Sequence, residues 1–112
     1  MKKPQKLLRD IFGFDEFRLG QREIIDAVSS KKNVLAIMPT GGGKSLCFQL
    51  PALMSEGLTV VISPLIALMR DQVRGLQAAG VAAGALTSSN TEDETDAVFS
   101  EIYAGKLKIL YV

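Results

Sequence analysis

The segment Pro39-Thr40-Gly41-Gly42-Gly43-Lys44-Ser45 carries the strongest chemical signal in the 112-residue chain. Consecutive glycines lose more chain entropy on folding than other residues, so a run of them needs a backbone reason, such as positive φ or a very close approach. A polyphosphate supplies one. The N–H groups of Gly41, Gly42, Gly43, Lys44 and Ser45 can turn inward on phosphate oxygens, and a helix starting at Lys44 adds the positive end of its dipole. Lys44 then reaches the β- and γ-phosphates as the catalytic lysine, and the Ser45 hydroxyl completes a Mg²⁺ site. The pattern G-x-x-x-x-G-K-[ST] is met at Gly43-Lys44-Ser45, but its first glycine position holds Met38. A flexible glycine turn beside a chance Lys-Ser pair is the bland alternative, and the flanking elements argue against it.

Those elements must place the loop between a strand and a helix. The short apolar run Val34-Leu35-Ala36-Ile37-Met38 predicts a buried strand, and a helical pattern opens at Lys44. Pro51 predicts a kink or a restart in that helix. Upstream, Pro4 opens a helix with Leu7, Leu8, Ile11 and Phe12 on one face, and a second helix aligns Ile24, Ile25 and Val28. Downstream, Leu58–Ile62 reads as a strand, and Pro64 leads a helix with Ile66, Met69, Val73 and Leu76 on its buried face. Val81–Leu86 is a weaker strand. Thr91 and Glu94 have capping-box spacing for a helix carrying Val98, Phe99, Ile102 and Tyr103, and Lys108–Val112 forms a last strand. Two helices followed by this alternation predict an α/β fold: a parallel sheet with right-handed crossovers and flanking helices. The chain stops inside its last predicted strand, which reads as one incomplete domain over residues 1–112.

Composition limits what such a domain can do. The formal charge is +1, from 13 Lys+Arg and 12 Asp+Glu, so any nucleic-acid footprint must be local rather than a bulk basic surface. Histidine is absent, which rules out a His base or a His-ligated metal within this chain. Cys47 is the only cysteine, so there is no internal disulfide, and it is expected to be a small buried residue. No signal-peptide pattern and no run of ~20 apolar residues is present, which points to a soluble, intracellular setting with no membrane partner.

Three segments, in order, make a family match. They are Phe12-Gly13-Phe14-Asp15-Glu16-Phe17-Arg18-Leu19-Gly20-Gln21, the glycine loop continued by Leu46-Cys47-Phe48-Gln49, and Ser63-Pro64-Leu65-Ile66-Ala67-Leu68-Met69-Arg70-Asp71-Gln72-Val73. Together they closely resemble the N-terminal part of RecQ-family ATP-dependent DNA helicases, from about Leu7 to Val112. The resemblance implies a P-loop, RecA-like fold preceded by two helices, with ATP and Mg²⁺ as ligands. It also implies single-stranded DNA as partner, 3′→5′ translocation, and a cytoplasmic, nucleoid-associated location. Its first segment is the adenine motif. A Gln21 amide offers one donor and one acceptor, matching adenine N6 and N7, and guanine would mismatch it by roughly 1–3 kcal/mol. Phe14 and Arg18 fall where the family stacks a ring and a guanidinium on the base. Phe12 and Phe17 are expected in the core. The third segment touches DNA in the family, which points to Ser63, Pro64, Leu65 and Arg70. Thr87 and Ser88 resemble another contacting loop, although Ser63 could equally cap a helix and Thr87 and Ser88 are good turn formers.

Other P-loop classes fit less well. A GTPase needs a guanine-reading Asn-Lys-x-Asp element, which is not visible, and DEAD-box RNA helicases place a Pro-Thr pair just before the Gln, whereas this chain has Arg18-Leu19-Gly20. A fragment that binds nucleotide without chemistry remains the alternative. The resemblance places the Asp-Glu-Ala-His box and a second RecA-like domain beyond Val112, so the chain alone is expected to bind ATP without hydrolysing it usefully, and to be only marginally stable.

Overall fold

The computed structural model describes residues 4–38 and 43–112. They fall into two compact units, Met1–Glu56 and Gly57–Val112.

The first unit is helical. Helices α1 (Pro4–Asp10), α2 (Gln21–Ser29) and α3 (Lys44–Met54) converge on Leu7, Leu8, Ile25, Leu46 and Leu50. Ile11, Phe12, Phe17, Leu53 and Met54 pack around that cluster, so the two phenylalanines expected in the core lie against it. Fully burying an aliphatic side chain of this size stabilises by about 1.5–3 kcal/mol, which makes this cluster the main force joining the three helices. Pro51 does not restart α3. The helix runs through it unbroken from Lys44 to Met54, with Leu50, Pro51 and Ala52 all buried, and their packing offsets the missing N–H at Pro51.

The strand expected at Val34–Met38 does not form. Leu35 and Ile37 are 89% and 91% exposed, and no described strand forms a ladder with the run. An apolar run becomes a strand only when a neighbour takes its backbone N–H and C=O groups, and this one has none among the described residues.

The second unit is the sheet. Strands β1 (Thr59–Val61), β2 (Ala83–Ala85) and β3 (Ile109–Tyr111) are all parallel, in the order β1-β3-β2. Ile109 lies opposite Thr59 and Ala83, and Tyr111 opposite Val61 and Ala85. Helices α4 (Ile66–Ala78) and α5 (Glu92–Tyr103) make the crossovers. Tyr111, 1% exposed, donates its hydroxyl to Gln72 Oε1 at 2.7 Å and so faces α4. Gly84 sits on the opposite pleat, where an added Cβ would lie 3.3 Å from Val98 of α5. Side chains alternate across a strand, so the two helices cover opposite faces. The chain steps past one strand position to lay down β2 and then returns to the middle with β3, the order that crossovers of one hand give when their helices lie on opposite faces.

One helix expectation needs correction. Helix α4 begins at Ile66, not Pro64, and Ile66 is 39% exposed, so only Met69 and Leu76 of the expected face are buried. On α5, Phe99 and Tyr103 are exposed and stack on each other, with ring centroids 6.4 Å apart.

Residues 83 and 85 of β2 direct their backbone groups away from β3, because Ala82 and Leu86 bond to it. The two outward carbonyls are not bare. Gln77 Nε2 donates to that of Ala83 at 2.9 Å and Asn90 Nδ2 to that of Ala85 at 2.8 Å.

The capping box expected at Thr91 is formed in both directions. Glu94 N–H donates to Thr91 Oγ1 at 3.1 Å, and Thr91 N–H donates to Glu94 Oε1 at 2.9 Å. The hydrogen bonds from Thr91 hold the Glu94 carboxyl below the usual glutamate range, backbone bond first, with Arg70 adding a smaller pull. A carboxyl lowered by folding stabilises above its ordinary range, and that stability is lost as pH falls through the folded value. Glu94→Gln should therefore melt below the unsubstituted chain at neutral pH, and the gap between their thermal midpoints should close as pH is lowered through the carboxylate range.

Candidate nucleotide site and nucleic-acid edge

Helix α3 begins where the phosphate-binding pattern requires. Its first residue is Lys44, its N-cap is Gly43 in the left-handed conformation (φ 78°, ψ 37°), and its first turn contains no acidic residue. Among the described residues no side-chain hydrogen bond caps this end, and the first turn of a helix, whose N–H groups lack intrahelical partners, favours an anion. Lys44 is exposed and Ser45 half-buried. Thr40, Gly41 and Gly42 lie outside the described residues. What is described fits a polyphosphate with a divalent cation: an uncapped helix start, a flexible ammonium and an adjoining hydroxyl.

Gln21 is the residue the structure ties most tightly to this end. It is 3% exposed, and each end of its amide is hydrogen-bonded to backbone. Oε1 accepts from the Arg18 N–H at 2.7 Å, and Nε2 donates to the Gly43 carbonyl at 3.1 Å. The two atoms that would pair with adenine N7 and N6 thus each hold one backbone partner and retain one further bonding position. Gly43 has no room for a side chain, because an added Cβ would collide with Gln21 Nε2. Arg18 Cδ lies 3.9 Å from the same point, so Arg18, Gln21 and Gly43 form one cluster. Phe14 stands 55% exposed, offering a free ring face. Phe17 does not, since the Arg22 guanidinium lies 5.7 Å over its ring.

Cys47 is buried as expected, and burial pushes its thiol pKa up. Its Sγ lies 3.8 Å from the Gly43 carbonyl, a second contact on the atom that Gln21 holds. Nothing in the sequence marks that contact beyond its spacing of one helical turn.

The residues expected to meet DNA lie in the second unit, at the C-terminal edge of the sheet. Ser63 follows β1 and donates its N–H to Val112, while Leu86, just before Thr87, donates to Tyr111. The end of β3 therefore separates the two segments by one strand position on each side. Ser63 is not a helix cap. Its Oγ accepts from the Leu65 N–H at 3.2 Å in a tight turn, and Leu65 itself is the N-cap of α4. Pro64 and Leu65 are exposed beside it. Arg70 does not project freely, because its guanidinium bonds Ser89. Ser89 and Asn90, which hold this turn together, are not among the expected site residues, and only their place between a strand and a capping box hints at it.

Residues 18–112 match the DEAD/DEAH box helicase family, and the chain therefore belongs to it. Similar curated proteins include several named ATP-dependent DNA helicase RecQ. The chain is 49% identical to the ATP-dependent DNA helicase RecQ of Haemophilus influenzae, across 100% of this chain and 18% of that protein. It is 54% identical to the RecQ of Pasteurella multocida, covering 95% of this chain and 17% of that one, and 45% identical to the RecQ of Bacillus subtilis, covering 100% and 19%. The chain thus spans under a fifth of the length of these curated relatives. Among the described residues, no helix is long and apolar enough to cross a membrane.

The Gln21–Gly43 contact can be tested directly. A residue with a Cβ in the left-handed conformation costs about 1–2 kcal/mol, and the collision with Gln21 adds to it. Gly43→Ala should lower the urea midpoint of the chain. Because Gln21→Ala removes the collision, the double variant should lose less stability than the two singles summed. Strict additivity would count against the contact.

Proposed function

We propose that this chain is the N-terminal part of the first RecA-like domain of a RecQ-type, ATP-dependent DNA helicase, which couples ATP hydrolysis to 3′→5′ unwinding of DNA inside the cell. The observation that carries the reading is the N-terminus of α3, where Gly43, Lys44 and Ser45 open an uncapped helix and the buried Gln21 amide is bonded to the Gly43 carbonyl. The family match and the names of the relatives support the same direction.

In this reading the first-turn N–H groups of α3 and the glycine loop, including Thr40, Gly41 and Gly42, hold the phosphate chain. Lys44 places a mobile positive charge on the β- and γ-phosphates. Ser45 would hold Mg²⁺, which when bound neutralises charge on those oxygens. Gln21 uses its remaining donor and acceptor positions on the Hoogsteen edge of adenine, with Phe14 and Arg18 flanking the base. Since Gln21 also grips Gly43, base recognition and the phosphate loop share one side chain. At the sheet edge, the segments at Ser63-Pro64-Leu65 and Thr87-Ser88 meet the backbone of a single strand, where backbone N–H groups and small hydroxyls position phosphates without reading sequence. Open parallel sheets bind ligands at this carboxyl edge.

Two substitutions divide the reading. Lys44→Ala removes a charge-assisted hydrogen bond and should weaken ATP binding by about 10–100-fold. Gln21→Ala should erase the preference for ATP over GTP, a loss of roughly 5–100-fold in selectivity. Titration of the chain and both variants with ATP and GTP measures each effect. Equal affinity of the unsubstituted chain for the two nucleotides would remove Gln21 from base recognition.

A further inference from the structure

The turn after β2 is held by a directed chain of hydrogen bonds. Arg70 Nη2, on α4, donates to Ser89 Oγ at 2.9 Å and to the Ser89 carbonyl at 3.1 Å. The Thr87 hydroxyl donates to Asn90 Oδ1 at 3.1 Å. With its single proton committed there, Thr87 Oγ1 must accept in its 2.9 Å bond with Ser89 Oγ, so Ser89 is the donor. Thr87 Oγ1 also accepts from the Ser89 N–H at 3.3 Å. Asn90 Nδ2 completes the run on the Ala85 carbonyl at 2.8 Å. Every side-chain proton points the same way, from the guanidinium toward β2, an arrangement in which successive bonds polarise one another.

This chain decides which groups remain to meet a ligand. The Thr87 hydroxyl donates once and accepts twice, so it has no proton left for a phosphate oxygen. Ser88 is exposed and its hydroxyl takes no part in the chain. Arg70 directs both N–H groups of Nη2 onto Ser89, which turns its guanidinium toward the turn.

We infer that Arg70 and Asn90 are positioning residues that fix the turn 87–90, so that Ser88 and the adjoining backbone meet the phosphates of a single strand while Arg70 itself touches none. The inference rests on the DNA reading above and corrects one part of it, by moving Arg70 and the Thr87 hydroxyl from contact to support. Asn90 gains a role that its type and position in the sequence do not announce.

The test uses the whole chain with a fluorescein-labelled oligo(dT), its binding followed by anisotropy across a salt series. Arg70→Ala and Asn90→Ala should each weaken binding by about 3–10-fold, the effect of one net hydrogen bond. The double variant should bind no worse than either single, because the chain is already broken. The slope of log affinity against log salt should stay unchanged in all of them. A slope reduced by about 1 in Arg70→Ala, with Asn90→Ala neutral, would make Arg70 a direct phosphate contact and overturn the inference. Amide exchange without DNA gives an independent readout: protection of the Ser89 and Asn90 N–H groups should fall in Arg70→Ala, Asn90→Ala and the milder Ser89→Ala. Unchanged protection would also overturn it. If the unsubstituted chain binds no oligo(dT), the DNA reading itself fails and takes the inference with it, an outcome distinct from binding that the variants leave untouched.

Discussion

A primary amide withdrawn from water must find hydrogen-bond partners, and in the first unit Gln21 finds them on two segments far apart in sequence. Its oxygen takes the Arg18 N–H and its nitrogen takes the Gly43 carbonyl, at 2.7 and 3.1 Å. Leaving either end of a buried amide unpaired costs about 1–3 kcal/mol, so both segments are held to its geometry. The glycine at position 43 follows from this constraint as much as from any ligand. Its backbone turns left-handed, and the amide occupies the space where a side chain would stand. Helix α3, the turn before α2 and the start of the phosphate pattern are thereby fixed in one frame, and the burial of Gln21 is what makes the amide's bonds obligatory.

The second unit depends on a different constraint. Parallel strands start at one edge and finish at the other, so whatever follows β1, β2 and β3 is delivered to the same side without any contact among the connecting loops. Ser63 and Thr87, well separated along the chain, become neighbours of the β3 terminus in this way. Tyr111 fixes the depth of α4 against the sheet through its hydroxyl on Gln72, while the absent side chain of Gly84 lets α5 approach the other face. Two positions on adjacent strands, one large and one empty, set the thickness of the layers.

Features that depend only on local chemistry are legible in the amino-acid sequence. The capping box at Thr91 and Glu94, the helix start at Lys44, the burial of Cys47 and the three strands that pair are all set by residues within a turn or by short apolar runs. The run at Val34–Met38 shows where such reading stops, because its composition is that of a buried strand but a ladder needs a partner, which no local pattern announces. Ile66 shows the same limit for helices. Periodicity identifies a face but not whether a neighbour covers it. For the site, residue types point to Gln21, Gly43, Lys44 and Ser45, but not to the bond between the first two. Arg70 is legible as a charge and illegible as a strut, since its partner Ser89 lies on another element and has no distinguishing type.

The amide of Asn90 serves two structures at once. It ends the hydrogen-bond chain of the turn, and together with Gln77 it covers the outward carbonyls of β2, one of the two edge strands described. A strand edge whose acceptors are already engaged offers a poor template to another chain. Colloidal behaviour and the shape of the turn are therefore linked through a single side chain: a disturbance that frees Asn90 exposes an adhesive border on the protein at the same moment as it loosens the loop.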